Sequence, residues 1–204
     1  MTREIADENI ADPIRQMASI IFKNFIINRT KVGHQKHADS MLFQDQIYEN
    51  FWINMETEFK GNMKMALLAT LATPKAVVRN QIANILAAIA SIEIPRKEWD
   101  DLIPSLCANS TSEELNIKLA SLTTLGYICE ELDPSDLTDQ VKNNILMALT
   151  MNISNTEPHE PTRLAIRALL FSIPYTRPNF QVQNERDFIM EKIFMACVSP
   201  QNEI

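Results

Sequence analysis

The fold of this chain is decided between Pro95 and Met190, where EELNIKLASLTTLGYICEEL (residues 113–132) and EPTRLAIRALLFSIP (residues 160–174) are two copies of a longer apolar helix. Each copy follows a short amphipathic helix and a tight turn, so a two-helix unit repeats along the chain. A basic residue that follows a β-branched one opens each longer helix. The pairs are Ile14-Arg15, Val78-Arg79, Ile117-Lys118 and Thr162-Arg163. The last three pairs lie 39 and 45 residues apart, a spacing that predicts an all-α superhelix of stacked two-helix repeats.

The composition agrees with an array of HEAT or armadillo type. The chain has 204 residues, 46% of them hydrophobic, and only 3 glycines, which favours helix over sheet. The net charge of −7 argues against a nucleic-acid-binding surface, which needs a basic stripe, so the expected partners are proteins. No apolar run reaches the length of a membrane span and the N-terminus lacks a signal peptide. We therefore expect no membrane contact and an intracellular location.

Residues 1–204 are expected to form one array of about five partial or complete repeats, a fragment of a longer solenoid. A polar, basic stretch over about residues 28–50 breaks the spacing and is expected to be a linker or insertion. Pro104 falls inside a predicted helix and should kink it. The first and last helices are expected to lack a partner. The predicted helices span Asp12–Ile27, Glu56–Ala72, Pro74–Ile92, Lys97–Ser110, Glu113–Leu132, Thr138–Ser154, Glu160–Pro174 and Asn184–Ser199.

The sequence contains no catalytic motif, and we expect no enzyme activity, no cofactor and no metal. His34 and His37 have a spacing that would suit a metal ion on a helix, but Gly33 and the surrounding lysines favour a solvated loop. The cysteines are predicted to be buried free thiols, because no C-x-x-C pair is present. They are Cys107, Cys129 and Cys197.

Charged residues near the helix ends leave alternatives open. The basic residues that open the longer helices, from Arg15 to Arg163, are expected to bridge acidic groups of the next repeat along an inner ladder, or to contact a partner. The carboxylates of Glu130, Glu131 and Asp133 end a helix, where the helix dipole disfavours them. They serve either the following turn or a partner.

Short motifs follow one another in a recognisable order. They are EIPRKEW (residues 93–99), LIP (102–104), LGYICE (125–130), LDP (132–134) and ERDFIM (185–190). Together with Phe22-Lys23-Asn24 and Trp52, they resemble the importin-β family of nuclear transport receptors, over nearly the whole chain from about Asp12. The resemblance maps the chain onto the second to sixth HEAT repeats of that family. It implies a right-handed superhelix with an outer and an inner layer of helices.

The resemblance implies a nucleoporin site between the outer helices of the fifth and sixth repeats, where the family inserts the phenylalanine of phenylalanine-glycine repeats. The matching positions are Leu146, Met147, Thr150, Glu185, Phe188 and Ile189. Thr150 departs from the pattern, because an apolar residue is expected there, and it predicts a partly polar pocket. Burial of a phenylalanine ring contributes about 1.5–3 kcal/mol, enough for weak contacts that multiply over many repeats.

The resemblance also implies a second partner, the GTP form of the small GTPase Ran, on the concave inner face. Lys23, Arg79 and Lys118 are the exposed-charge candidates for this contact. Importin-α or cargo would bind only through later repeats, which this chain lacks. The implied location is the cytoplasm and the nucleus, including the nuclear pore and envelope. No family feature matches the basic stretch near residues 28–50.

Two other classes of function compete with this prediction. A generic HEAT scaffold or adaptor subunit would bind another protein independently of Ran. An enzyme built on a helical array would need a cleft with perturbed acids or a nucleophile, and the sequence contains neither. Dependence of Ran binding on GTP distinguishes the transport-receptor prediction from a generic HEAT scaffold.

Overall fold

The computed structural model describes residues 2–27, 52–155 and 158–197. The predicted histidine pair and the basic stretch of residues 28–50 lie outside this part. The α-helices are α1 (Thr2–Ala6), α2 (Asp12–Ile27), α3 (Thr57–Leu71), α4 (Ala76–Glu93), α5 (Leu102–Asn109), α6 (Leu115–Glu131), α7 (Asp139–Met151), α8 (Glu160–Phe171), α9 (Ile173–Gln181) and α10 (Gln183–Cys197). No β-strand occurs in the described ranges. The all-α prediction is confirmed.

The chain groups into two compact units that divide between Ile92 and Glu93. The first unit contains α1 to α3 and nearly all of α4. Its helix α1 packs against α2 and α3, with Ile5 fully buried. The expectation that the Asp12–Ile27 helix lacks an upstream partner was therefore wrong, because five residues at the N-terminus suffice for one buried turn.

The second unit stacks two helix pairs, α5 with α6 and α7 with α8. The longer helices α6 and α8 pack on each other most closely, and the shorter helices α5 and α7 also contact each other. At the centre of the α6–α8 contact lies Gly126, where an added Cβ would stand 3.3 Å from the Cβ of Ala168. This arrangement is the repeating unit that the sequence predicts for this region.

Helix α6 is buried along most of its length although it contains several hydroxyl side chains. Thr123 and Thr124 are buried, and their hydroxyl groups donate to the backbone carbonyls of Leu119 and Ala120 at 2.7 and 2.8 Å. Because each hydroxyl bonds to the preceding turn of its own helix, no partner from another helix is needed. Polar residues can therefore face the core of this unit.

Helix α5 begins at Leu102 rather than at Lys97. The residues before it form a turn in which Lys97 has a φ of 59°, the left-handed region that side chains disfavour. Pro104 consequently lies in the first turn of α5, where backbone N–H groups have no partner within the helix. The expected kink was wrong for this reason.

The helix predicted over Glu160–Pro174 ends at Phe171, and a further helix, α9, follows it. Pro174 lies in the first turn of α9, a position that favours proline, so it opens a helix instead of ending one. Helix α9 contacts α7, α8 and α10. The final helix α10 therefore has a partner, contrary to the expectation.

Asp133 illustrates what the carboxylates after α6 do. Its Oδ1 accepts hydrogen bonds from the backbone N–H and the hydroxyl of Ser135, at 2.8 and 2.7 Å, and these bonds lower the pKa of Asp133. They cap the short 3₁₀ turn Pro134–Asp136. Of the two alternatives left open by the sequence, Asp133 serves the following turn.

Candidate functional site

Helix α7 supplies three of the residues predicted for the outer pocket. The helix begins after Thr138, whose Oγ1 accepts a hydrogen bond from the backbone N–H of Val141 at 3.3 Å. Leu146 is buried, whereas Met147 beside it is 63% exposed. This part of α7 therefore offers a buried apolar base and a mobile thioether side chain at the surface.

Thr150 completes the contribution of α7. The residue is buried, and its hydroxyl donates to the carbonyl oxygens of Leu146 and Met147, at 2.8 and 3.1 Å. The Thr150 hydroxyl thus donates its hydrogen bonds within α7 and has no proton left to donate to an acceptor in the pocket. The threonine is less polar toward a ligand than its side chain alone would indicate.

Helix α10 supplies the other three predicted residues. Ile189 is buried, Phe188 is 47% exposed and Glu185 is exposed in the first turn, where the helix dipole favours a carboxylate. The ammonium group of Lys192 lies 5.6 Å from the centre of the Phe188 ring and covers part of one ring face. The aromatic side chain is therefore held at the surface.

A side-chain bridge through α9 ties the two sets together. The Asn179 amide nitrogen donates to Oδ1 of Asn143 on α7 at 2.9 Å and to Oε2 of Glu185 on α10 at 2.8 Å. Both oxygen atoms thus contact one nitrogen atom. Sequence reasoning missed Asn143 and Asn179, because no local pattern marks a hydrogen bond between residues 36 positions apart.

The bridge connects the two helices that carry the predicted residues. Asn143 lies three residues before Leu146, and Glu185, which is itself one of the six, lies three residues before Phe188, so Leu146 and Phe188 each follow a bridge residue by about one turn. Farther along, Asn155, four residues after the end of α7, lines the same open groove, of about 630 Å³, as the second half of α10. The structure places three of the six predicted residues on α7 and three on α10. That the six line one pocket stays a prediction.

The cations predicted for the inner surface differ in exposure. Arg79 is only 4% exposed, and its Nη1 donates to the carbonyl oxygen of Thr73 at 3.2 Å. The prediction that Arg79 is an exposed charge was therefore wrong, because its guanidinium turns back to the turn between α3 and α4. In the same unit, Lys23 is half-buried and its Nζ donates to Oδ1 of Asn84 at 2.6 Å.

In the second unit, Lys118 is half-buried near the start of α6. The structure gives no contact that tests its predicted role.

The expected ladder of bridges between repeats is only partly present. Arg15 is fully buried and its Nε donates to the carbonyl oxygen of Ile5 at 2.9 Å, while Arg163 pairs with Glu160 of its own helix. For these two arginines the predicted bridge to the next repeat was wrong. A connection of that kind is made by Lys75, whose Nζ lies 2.8 Å from Oδ1 of Asp12.

The three cysteines are free thiols but are not equally buried. Burial raises the pKa of Cys107 to about 11 and that of Cys129 to about 12, with the nearby Cys107 adding to the second shift. Cys197 is exposed, so the prediction of burial was wrong for it, because it lies on the outer side of the last turn of α10.

The described residues provide neither a metal site nor a membrane-spanning helix. No group of three His, Cys, Asp or Glu side chains is arranged to hold a metal ion. None of the described helices has the length and apolarity that crossing a membrane requires.

Comparison with known proteins gives consistent matches over the whole chain. Importin subunit beta-1 of Arabidopsis thaliana is 32% identical over 202 residues, which are 98% of this chain and 22% of the relative. Importin subunit beta-1 of Schizosaccharomyces pombe is 32% identical over a match of 206 positions that covers 100% of this chain and 22% of the relative. No protein-family model matches.

Solved structures give the same result in three dimensions. A crystal structure of importin beta grown in ammonium sulfate is 29% identical, with a TM-score of 0.83 over 98% of this chain and 22% of that one. The chain belongs to the importin-β family. A Kap95p structure, in which Kap95p induces the switch loops of RanGDP to adopt the GTP-bound conformation, has a TM-score of 0.83 at 28% identity over the same shares. A complex of Kap95 with Nup1 has a TM-score of 0.78 at 29% identity, again over 98% of this chain and 22% of that one.

The importin-β relatives also confirm the architecture predicted from the repeat spacing, a solenoid of two-helix HEAT repeats. The chain spans about a fifth of the length of the relatives that it matches.

Proposed function

We propose that this chain is part of a nuclear import receptor, and that it binds phenylalanine-glycine segments of nucleoporins between α7 and α10. The chain would then act in the cytoplasm, the nucleus and the nuclear pore. The observation that carries the proposal is the Asn179 bridge, which connects Asn143 on α7 to Glu185 on α10. The complex of a relative with the nucleoporin Nup1 supports the class of partner.

The geometry suits a single aromatic ring. Leu146 and Ile189 provide a buried apolar base, and Met147 and Phe188 provide exposed walls that can close on a ring. Full burial of a phenylalanine contributes about 1.5–3 kcal/mol, from which the cost of ordering the peptide must be subtracted. A single contact is therefore weak, and many such contacts along one nucleoporin give avidity with fast exchange.

The test is a titration of the chain with a phenylalanine-glycine peptide, followed by nuclear magnetic resonance. Met147→Ala should weaken peptide binding at least about fivefold, or ~1 kcal/mol. Met65→Ala is the matched control, because Met65 is 62% exposed on α3 in the other unit and resembles Met147 in size and exposure. Equal effects of the two substitutions would refute the proposed location. If the wild-type chain does not bind the peptide, nucleoporin binding is refuted.

We also propose that Ran binds this chain, with a preference for its GTP form, and that Lys23 and Lys118 each contribute a positive charge. Arg79 is left out of direct contact because its side chain is buried. The relative bound to RanGDP supports the partner and implies that Ran-GDP also binds. The informative quantity is thus the ratio of the two affinities rather than binding to Ran-GTP alone.

This proposal is tested by calorimetric titration with Ran in each nucleotide state. Lys118→Ala should weaken binding of Ran-GTP, whereas Lys142→Ala should leave it unchanged, since Lys142 pairs with Asp139 of its own helix. Affinities that do not depend on the nucleotide would favour the alternative of a generic HEAT scaffold or adaptor. Importin-α and cargo, which the resemblance assigns to later repeats, should not bind tightly.

A further inference from the structure

The orientation of the Asn179 amide follows from the chemistry of its neighbours. The carboxylate of Glu185 accepts the hydrogen bond, so the amide nitrogen of Asn179, and not its oxygen, must face it. The second hydrogen on that nitrogen then points to Asn143, which must present its own oxygen. The carboxylate of Glu185 thus fixes the amide orientations of both Asn179 and Asn143. The three residues come from three helices, α10, α9 and α7.

Glu185 is held at a defined place by this bond. Its Oε2 accepts from Asn179, which leaves Oε1 to accept from another donor. The carboxylate lies one turn before Phe188 on the same helix, at the edge of the proposed ring slot. An extended peptide brings backbone N–H groups with no partner, and a carboxylate is a strong acceptor for them.

We propose that Asn179 is a positioning residue that orients Glu185 to accept a backbone N–H of the bound phenylalanine-glycine segment. The inference rests on the proposed nucleoporin site and adds a residue outside the six predicted ones. The apolar slot selects the aromatic ring, and the oriented carboxylate selects a peptide whose backbone beside the ring is accessible. Glycine suits the position after phenylalanine because it has no side chain to shield its N–H.

The experiment compares two synthetic peptides, one with the glycine N–H and one with that nitrogen methylated. Methylation removes the donor and also adds bulk, but the bulk is the same for every variant of the chain. We expect the preference of the wild-type chain for the unmethylated peptide to exceed that of Asn179→Ala by between about twofold and tenfold, the range for the net contribution of an ordinary hydrogen bond. Asn144→Ala is the control, because Asn144 is an exposed asparagine on α7 outside the bridge, and this variant should keep the wild-type preference.

The outcomes separate the two levels of the proposal. If Asn179→Ala discriminates between the peptides as strongly as the wild type, the positioning role is refuted while the nucleoporin site stands. If wild-type chain binds neither peptide, the proposed nucleoporin site fails and this inference fails with it. Thermal unfolding followed by circular dichroism should give the same midpoint temperature for the wild type and both asparagine variants. A large drop of that midpoint for Asn179→Ala alone would refute a role confined to positioning.

Discussion

Replacing Gly126 by alanine tests whether α6 and α8 are packed as closely as the structure describes. The new Cβ would lie 3.3 Å from the Cβ and 3.6 Å from the Cα of Ala168. Carbon atoms prefer separations of about 3.5–4.0 Å, so the contact is short by a few tenths of an ångström. Both partners are fixed to helix backbones, so neither can rotate away and the helices themselves must move apart.

The magnitude is isolated by a second substitution. Gly61 lies in the interior of α3, and among the described residues no heavy atom outside its own helix backbone is within 4 Å of a Cβ added there. Both changes gain the same helix propensity, ~1 kcal/mol, because both glycines are inside helices. Overpacking costs about 1–3 kcal/mol at Gly126 only. Gly61→Ala should therefore stabilise its unit, and Gly126→Ala should be less favourable than Gly61→Ala by that 1–3 kcal/mol.

The assay is urea unfolding of both variants and the wild type, with hydrogen exchange of α3 and α6 amides to assign each change to its own unit. The urea slope should stay unchanged, so that a shift of the midpoint reports stability. If Gly126→Ala is as stabilising as Gly61→Ala, the close α6–α8 contact does not exist as described.

Three further predictions concern single side chains. Lys97→Gly should stabilise the turn before α5 by about 1 kcal/mol, whereas Lys97→Ala should not, because only glycine adopts the left-handed backbone freely. Thermal unfolding of both variants checks this. Tyr175→Phe should cost about 1–3 kcal/mol in urea unfolding, since it removes a hydroxyl donor to the buried carbonyl of Leu132, and burial already raises the Tyr175 pKa. Burial also raises the pKa of Cys129 to about 12. The stability that the protonated Cys129 thiol contributes is therefore complete below the usual thiol pKa of about 8.5 and is lost as the pH rises from there toward 12. A Cys129→Ala variant should accordingly lose less stability between pH 8 and 10 than the wild type, and iodoacetamide at pH 8 should modify Cys197 long before Cys129.

The sequence predicted the helical class and most of the helices, because apolar periodicity is a local property of the chain. The ends of helices near prolines were less predictable. Pro104 and Pro174 each open a helix, and a proline in a first turn differs from one in a helix interior only in where the turn before it ends. That point depends on packing, as the left-handed Lys97 shows.

The exposure of charged residues also could not be predicted from the sequence. Arg79 and Arg163 follow the same β-branched pattern, yet one is buried against a backbone carbonyl and the other is exposed and paired within its helix. An arginine stem can lie along apolar surface while its guanidinium finds a carbonyl, so the residue type alone does not decide burial.

What the sequence alone determined is the two-helix repeat, and its resemblance to the importin-β family predicts six positions for an outer pocket. What only the tertiary structure decided is the link between the two helices that carry those positions, since Asn179 on α9 bridges Asn143 on α7 to Glu185 on α10. The physical reason is the difference in range. Helix formation depends on residues three and four apart, whereas the level of one helix against another is set by hydrogen bonds and packing between residues far apart in sequence.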